Sequence, residues 1–455
     1  MKALMLSAMQ SGAGKTVMSC ALMAALKKRG LRVRAFKSGP DYIDPMFHSR
    51  VLGVESRNLD LFLQGENGVK RSFASACGDV AVVEGAMGYY DGLNGGTEAS
   101  AWDLAVKLDL PTVLLLRPKG CGITLAAQVH GMQTFRAESR LEGILLCDCT
   151  EHNADVLTAL LKRECGIPVL GFLPPMEEAR LKSRHLGLLT AAEIEGFQER
   201  FDRLAAQLEK SVDLDRLLNL ATEIDPPSDA PIPEHSVPGT AEEKKKPCCC
   251  IAVARDEAFC FHYADNLDAL HRAGAELVFF SPLHDAHLPD ADGLWLCGGY
   301  PELHARELSE NASMREEIRR RVMNGCPTVA ECGGFLYLQE SLEDPEGKTR
   351  QMCNALPGRG FRTERLQRFG YLKLKAEQDS LLFRKGEQIP AHEFHYWNST
   401  ENGEDLEAEK ADGRCWRCGV VSDTLYAAFP HLHFAGDLPL AERFVKACKD
   451  YEKNQ

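Results

Sequence analysis

The run Ser7-Ala-Met-Gln-Ser11-Gly12-Ala13-Gly14-Lys15-Thr16 carries the residue types of a phosphate-binding loop. Ser11, Gly12, Ala13 and Gly14 would turn backbone N–H groups inward around phosphate oxygens. Lys15 would reach the β and γ oxygens, and Thr16 would offer its hydroxyl to Mg2+. Met9 stands where the usual pattern has its first glycine. Acidic partners for a metal are expected at the ends of neighbouring strands, where open α/β sheets gather ligands. Lys37-Ser-Gly-Pro-Asp41-Tyr-Ile-Asp44 and Val83-Glu84-Gly-Ala-Met-Gly88 are the two segments that qualify. Mg2+ takes hard oxygens, so Thr16, Asp41 and Glu84 form the expected metal set, with Lys37 as an anion contact. Asp41 and Asp44 also suit turn or cap duty beside Gly-Pro. Glu84 closes Val-Ala-Val-Val, where a carboxylate without a task would be a costly buried charge.

A second chemistry lies far downstream. In Val329-Ala-Glu-Cys332-Gly333-Gly-Phe-Leu-Tyr-Leu a strand pattern meets a cysteine at a glycine turn, followed by a helix pattern. That arrangement exposes the side chain, and the helix N-terminus is expected to favour its thiolate. A thiolate can attack the side-chain amide of glutamine and release ammonia. Gly333, with Gly298 and Gly299 from Cys297-Gly298-Gly299-Tyr-Pro-Glu302, would supply N–H donors to the oxyanion. His431 and His433 are the candidate bases, and strand alternation would place both on one face.

These groups need elements to hold them. Strand patterns fall at Lys2–Ala8, Arg32–Lys37, Val80–Glu84, Thr112–Leu116, Leu141–Cys147 and Pro168–Leu173, and a helix pattern runs from Lys15 to Arg29. Near-continuous apolar strands alternating with helices predict a mainly parallel sheet covered on both faces. Residues 224–247, rich in proline and without periodicity, read as a linker. A second α/β pattern starts at Cys248. The fold class is therefore α/β, with a P-loop domain at 1–223 and a further α/β domain at 248–455.

Composition narrows the function. A net charge of −13 argues against wrapping nucleic acid. No run approaches the ~20 apolar residues of a membrane helix, and the first residues are too short an apolar run for a signal peptide. Seventeen cysteines show no repeated pair at zinc-finger spacing, which fits reduced thiols in a cytoplasmic enzyme.

Phe36-Lys-Ser-Gly-Pro-Asp-Tyr-Ile-Asp-Pro45, Val83-Glu-Gly-Ala-Met-Gly-Tyr-Tyr-Asp-Gly92, Arg184-His-Leu-Gly-Leu188, Gly298-Gly-Tyr-Pro-Glu302, Cys332-Gly-Gly-Phe-Leu-Tyr337, His392-Glu-Phe-His395 and His431-Leu-His-Phe434 run in an order that resembles the cobyrinic acid a,c-diamide synthases. The resemblance covers nearly the whole chain. The first part is also similar to dethiobiotin synthetase, and the second to class I glutamine amidotransferases that lack an acidic triad member. It implies ATP and Mg2+ as cofactors, with glutamine and a cobyrinic-acid-type corrinoid as partners. The reaction implied is amidation of the c and then the a acetate through an acyl phosphate. Asp44, Arg184 and His185 are implied in holding the corrinoid, and the class is compatible with a homodimer. His431 is the implied base, with His433 as the alternative. The chain departs from the resemblance at Met9, Arg117, Cys147 and Cys297. Hydrogenobyrinic acid and nickel-sirohydrochlorin are the neighbouring substrates. A ParA-like regulatory ATPase with an inactive amidotransferase domain is the reading from another class.

Overall fold

Residues 1–179, 191–224 and 247–453 are described in the computed structural model. The chain divides into two compact units, Met1–Leu61 with Gly65–Ser236 and Phe62–Gln64 with Val237–Gln455. Most of the expected linker, and with it Arg184 and His185, lies outside the described residues.

In the first unit, strands β1 (Lys2–Ala8), β2 (Val33–Ser38), β3 (Ser56–Leu59), β4 (Val80–Glu84), β5 (Thr112–Leu116), β6 (Leu141–Cys147) and β7 (Val169–Leu173) form a sheet ordered β3-β2-β4-β1-β5-β6-β7. These seven run parallel, and β8 (Thr222–Glu223) adds a short antiparallel pairing on β1. The two-residue period sends Leu4, Leu6, Val80 and Val82 to one apolar layer and Ala3, Met5, Ala81 and Val83 to the other. Both faces are covered, which is why the strands read as continuous apolar runs. Helix α1 (Lys15–Lys28) is buried nearly all round from Val17 to Leu26. Helix Ala191–Ser211 packs on it through Phe201, Leu204, Ala205 and Leu208, and its end meets β7, where Ser211 Oγ donates to the Phe172 carbonyl at 2.6 Å.

Strand β3 has no apolar signature. Ser56, Arg57 and Asn58 are buried polar residues. Asn58 earns its place by donating Nδ2 to the carbonyls of Gly39 at 2.9 Å and Asp41 at 2.7 Å, which shapes the turn leading to helix α2 (Ile43–Leu52).

The second unit is built on β9 (Cys249–Ala254), β10 (Phe259–Phe261), β11 (Ala275–Phe280), β12 (Gly293–Leu296), β13 (Gly298–Gly299) and β14 (Thr328–Glu331). Its main sheet runs β11-β9-β12-β14, then Leu425–Ala428, all parallel, with Val420–Val421 antiparallel at the edge. A second, antiparallel sheet contains Arg368–Ala376, Gln388–His395, Leu406–Glu409, Cys415–Cys418 and His431–Leu432. Apart from the strand expected at His431, this sheet was not assigned from the sequence, although Lys373, Lys375, Glu407 and Glu409 alternate with the buried Leu372, Leu374, Leu406 and Ala408 as a half-buried strand pair should. Among the described residues no helix is long and apolar enough to cross a membrane.

Candidate active sites

Strand β1 delivers its loop to the N-terminus of α1. Gly12 at φ +73° and Gly14 at φ +92° hold backbone conformations that disfavour a side chain. Lys15 folds back on its own surroundings, donating to the Gln10 carbonyl at 3.1 Å and to the Met87 carbonyl. Burial and the neighbouring Lys37 bring its amine down to about 8.

Thr16 Oγ1 lies 2.9 Å from Glu84 Oε1 and 3.2 Å from Asp44 Oδ1. Lys37 Nζ bridges the same carboxylates, at 2.6 Å from Asp44 Oδ2 and 2.9 Å from Glu84 Oε1. His48 Nε2 stands 3.3 Å from the other Glu84 oxygen. Burial alone would push the Glu84 carboxyl up, but Lys37 and His48 outweigh it and hold it well below the usual range. Burial, with Glu84 beside it, pushes Asp44 up against the pull of Lys37. Burial works against the Lys37 charge, yet Glu84 and Asp44 together keep its amine above its ordinary value.

Three expectations change here. Asp41 does not meet Thr16: its Oδ1 accepts the Ile43 N–H at 2.7 Å, closing the turn into α2. Asp44, expected to hold substrate, takes that place because the turn directs the first residues of α2 back toward β4. Lys37, expected as an anion contact, is only 4% exposed and lies against the Asp44 and Glu84 carboxylates. His48 was missed, although Asp44 and His48 are four apart on one helix and therefore share a face. Thr16, Asp44 and Glu84 offer converging hard oxygens, and this donor chemistry fits Mg2+. Among the described residues no group of three or more His, Cys, Asp or Glu could hold a metal.

The second site lies at the end of β14. Cys332 has φ +49° and ψ −102°, a strained conformation for a residue with a side chain. It is fixed by its N–H on the Ala428 carbonyl at 2.8 Å and by helix Gly333–Leu338 beyond it. The glycines around it are demanded by contact. A Cβ on Gly334 would sit 2.1 Å from the Leu296 carbonyl oxygen, and one on Gly333 2.8 Å from Pro301. A Cβ on Gly298 would lie 2.4 Å from His431 Cε1 and 3.4 Å from Cys332 Cβ. Gly298 is thus the gap across which His431 and Cys332 face each other. The Gly299 nitrogen lies 3.2 Å from the Cβ position of Gly333, so β13 and the start of the helix are close neighbours here.

His431 pairs in register with His392 of the strand Gln388–His395. Burial, followed by His392 and His395, pushes its imidazole down to about 3. His433 falls beyond the strand, which ends at Leu432, and its ring packs 4.7 Å from Tyr263. Burial lowers it to about 4. The structure therefore brings His431 to the cysteine.

The thiolate expectation is reversed in the resting site. Burial, reinforced by Glu302 and Glu393, pushes the Cys332 thiol far above its usual value, and a hydrogen bond from Gly333 does not compensate. The helix behind it has only six residues. Glu302 and Glu331 are themselves pushed up to about 7 by burial.

Two positioning residues escaped the sequence. Glu331 accepts the Leu432 N–H at 2.8 Å and Trp295 Nε1–H at 3.2 Å. Asn266 donates Nδ2 to the Leu432 carbonyl at 2.9 Å and accepts the Phe434 N–H at 2.7 Å. Together they clamp the segment carrying His431. The signal for Glu331 was present, since it is a glutamate closing an apolar strand as Glu84 is.

A P-loop unit with an acidic, Thr-centred site and a unit with a cysteine elbow facing histidine define a two-part, glutamine-dependent amidating ligase. Residues 4–189 match the model of the CobQ/CobB/MinD/ParA nucleotide binding domain, and residues 250–439 that of the CobB/CobQ-like glutamine amidotransferase domain. The chain is 38% identical to the cobyrinate a,c-diamide synthases of Clostridium tetani, Clostridium acetobutylicum and Salmonella typhimurium. Each match covers 98% of this chain, and 99%, 100% and 98% of the respective relatives. This chain belongs to the cobyrinate a,c-diamide synthase family.

Proposed function

We propose that this protein uses ATP and glutamine to amidate the c and then the a acetate carboxylate of cobyrinic acid. What supports the reading most is one chain holding both a cysteine elbow that faces His431 and a P-loop whose Thr16 meets Asp44 and Glu84.

A carboxylate is a poor acyl donor, so the first unit must give it a leaving group. The loop N–H groups and Lys15 hold the triphosphate while a carboxylate oxygen of the corrinoid attacks the γ-phosphorus and ADP departs. A bound Mg2+, held by Thr16, Asp44 and Glu84, would supply charge neutralisation on the phosphate oxygens. Arg184 and His185 remain the residues proposed for the acidic rim of the corrinoid.

In the second unit, burial keeps the His431 imidazole neutral at physiological pH. It takes the Cys332 proton as sulfur attacks the glutamine amide carbon. The Gly299 and Gly333 N–H groups receive the developing oxyanion. Ammonia leaves with the proton from His431, and water hydrolyses the thioester to glutamate. Ammonia then attacks the acyl phosphate carbon and phosphate departs, giving the amide.

The test is mass spectrometry of cobyrinic acid incubated with the protein, Mg·ATP and glutamine, beside hydrogenobyrinic acid. A monoamide followed by a diamide of cobyrinic acid is expected. Amidation of hydrogenobyrinic acid alone would replace the substrate. Hydrolysis of ATP and glutamine without amidation of either would move the assignment to another macrocycle such as nickel-sirohydrochlorin.

A further inference from the structure

We infer that Arg117 is a phosphate ligand for the nucleotide, a second cation brought to the P-loop from the end of β5. The inference rests on the ATP-binding reading of the first unit and adds a residue to it. Strand β5 is hydrogen-bonded directly to β1, so the residue following it emerges beside the loop that follows β1. Arg117 Nη1 donates to the Gly12 carbonyl at 3.3 Å. Its Nη2 lies 3.0 Å from the Cβ position of Gly14, so the absence of a side chain there leaves room for the guanidinium.

The charge on this group is not consumed by protein. Arg117 is exposed and makes no ion pair among the described residues. Other arginines of this unit behave otherwise: Arg140 meets Asp109 at 2.5 Å, and Arg34 meets Glu55 at 2.8 Å. The site's own carboxylates are also engaged elsewhere, Asp44 and Glu84 by Lys37 and Thr16. A guanidinium has five N–H donors in a planar fork that matches two phosphate oxygens, and one backbone carbonyl leaves most of them free.

A guanidinium also keeps its proton throughout the working range, so Arg117 offers the phosphates a permanent charge beside the loop.

The test compares the full-length wild type with Arg117→Gln and Arg117→Lys, binding Mg·ATP and, separately, inorganic tripolyphosphate, which has no base or ribose. Circular dichroism and the unfolding midpoint verify that each variant is folded. In Arg117→Gln both dissociation constants should rise by about 10- to 100-fold, the range of a lost charge-assisted hydrogen bond. Arg117→Lys should recover part of that loss for both ligands. Weaker ATP binding with tripolyphosphate unchanged would overturn the inference and make Arg117 a base or ribose contact. No change for either ligand would reduce it to a brace on the Gly12 carbonyl. Failure of the wild type to bind ATP at all would instead remove the nucleotide reading on which the inference stands.

Discussion

The two sites share a backbone plan and differ in charge. Each stands where a parallel strand gives way to a tight turn and a helix, β1 into α1 and β14 into the helix after Cys332. In the first unit the turn is surrounded by buried ions: Lys37, Asp44 and Glu84 form one cluster, with His48 against Glu84. In the second, the groups that react are uncharged at rest, a protonated thiol opposite a neutral imidazole. The contrast follows from the ligands. A nucleotide arrives already charged, so its site is prepared with fixed charges that need no reorganisation. Glutamine's side-chain amide is neutral, and a standing thiolate would be costly to bury and open to oxidation. Charge in the second unit is best created only when the amide is in place.

Four expected outcomes probe this contrast, the largest first. Asp44→Asn should lower amidation about 100-fold by replacing one of the carboxyl oxygens that Thr16 and Lys37 meet, while Asp41→Asn stays near wild type. Steady-state rates with saturating substrates decide this, and the reverse ranking would return Asp41 to the metal set. Gly298→Ala should reduce glutaminase about 10- to 100-fold, since its methyl would displace the His431 ring. An unaffected rate would mean that His431 does not need its observed place.

The third outcome concerns pH. An imidazole with the usual value of about 6.5 would be mostly protonated at pH 5, costing a base-dependent rate roughly thirtyfold. With His431 lowered to about 3, the group stays neutral down to that value, so kcat/KM for glutamine should hold between pH 7 and 5 as far as this base is concerned. An acid limb centred near 6.5 would show that the resting imidazole is not neutralised by burial. The smallest effect is structural. Asn266→Ala leaves the Leu432 carbonyl and Phe434 N–H without their buried partner, which should cost about 1–3 kcal/mol in urea denaturation. A midpoint matching wild type would mean that the clamp is replaceable.

The regular half of the fold was legible because its strands are buried on both faces. Lys2–Ala8, Val80–Glu84, Thr112–Leu116 and Leu141–Cys147 coincide with their expected spans. Strand β3 was not legible, since its polar residues are buried for the hydrogen bonds they make rather than for apolar area. Within the sites, Lys15, Thr16, Glu84 and Cys332 could be named because their chemistry depends on neighbours in sequence. Asp44 displacing Asp41 depended on how one turn closes. The choice of His431 depended on where a two-residue strand ends, and the neutrality of Cys332 on its burial in the folded unit, reinforced by Glu302 and Glu393 from distant parts of the chain. Spacing alone carries none of these.

The most direct test of the division of labour is amidation by Cys332→Ser, supplied first with glutamine and then with ammonium at pH 8.5, each with Mg·ATP. No amide from glutamine and near wild-type amide from ammonium is the expected result, because the first unit and its ionic cluster are untouched. Amidation from glutamine in this variant, or none from ammonium while ATP still binds, would contradict the account.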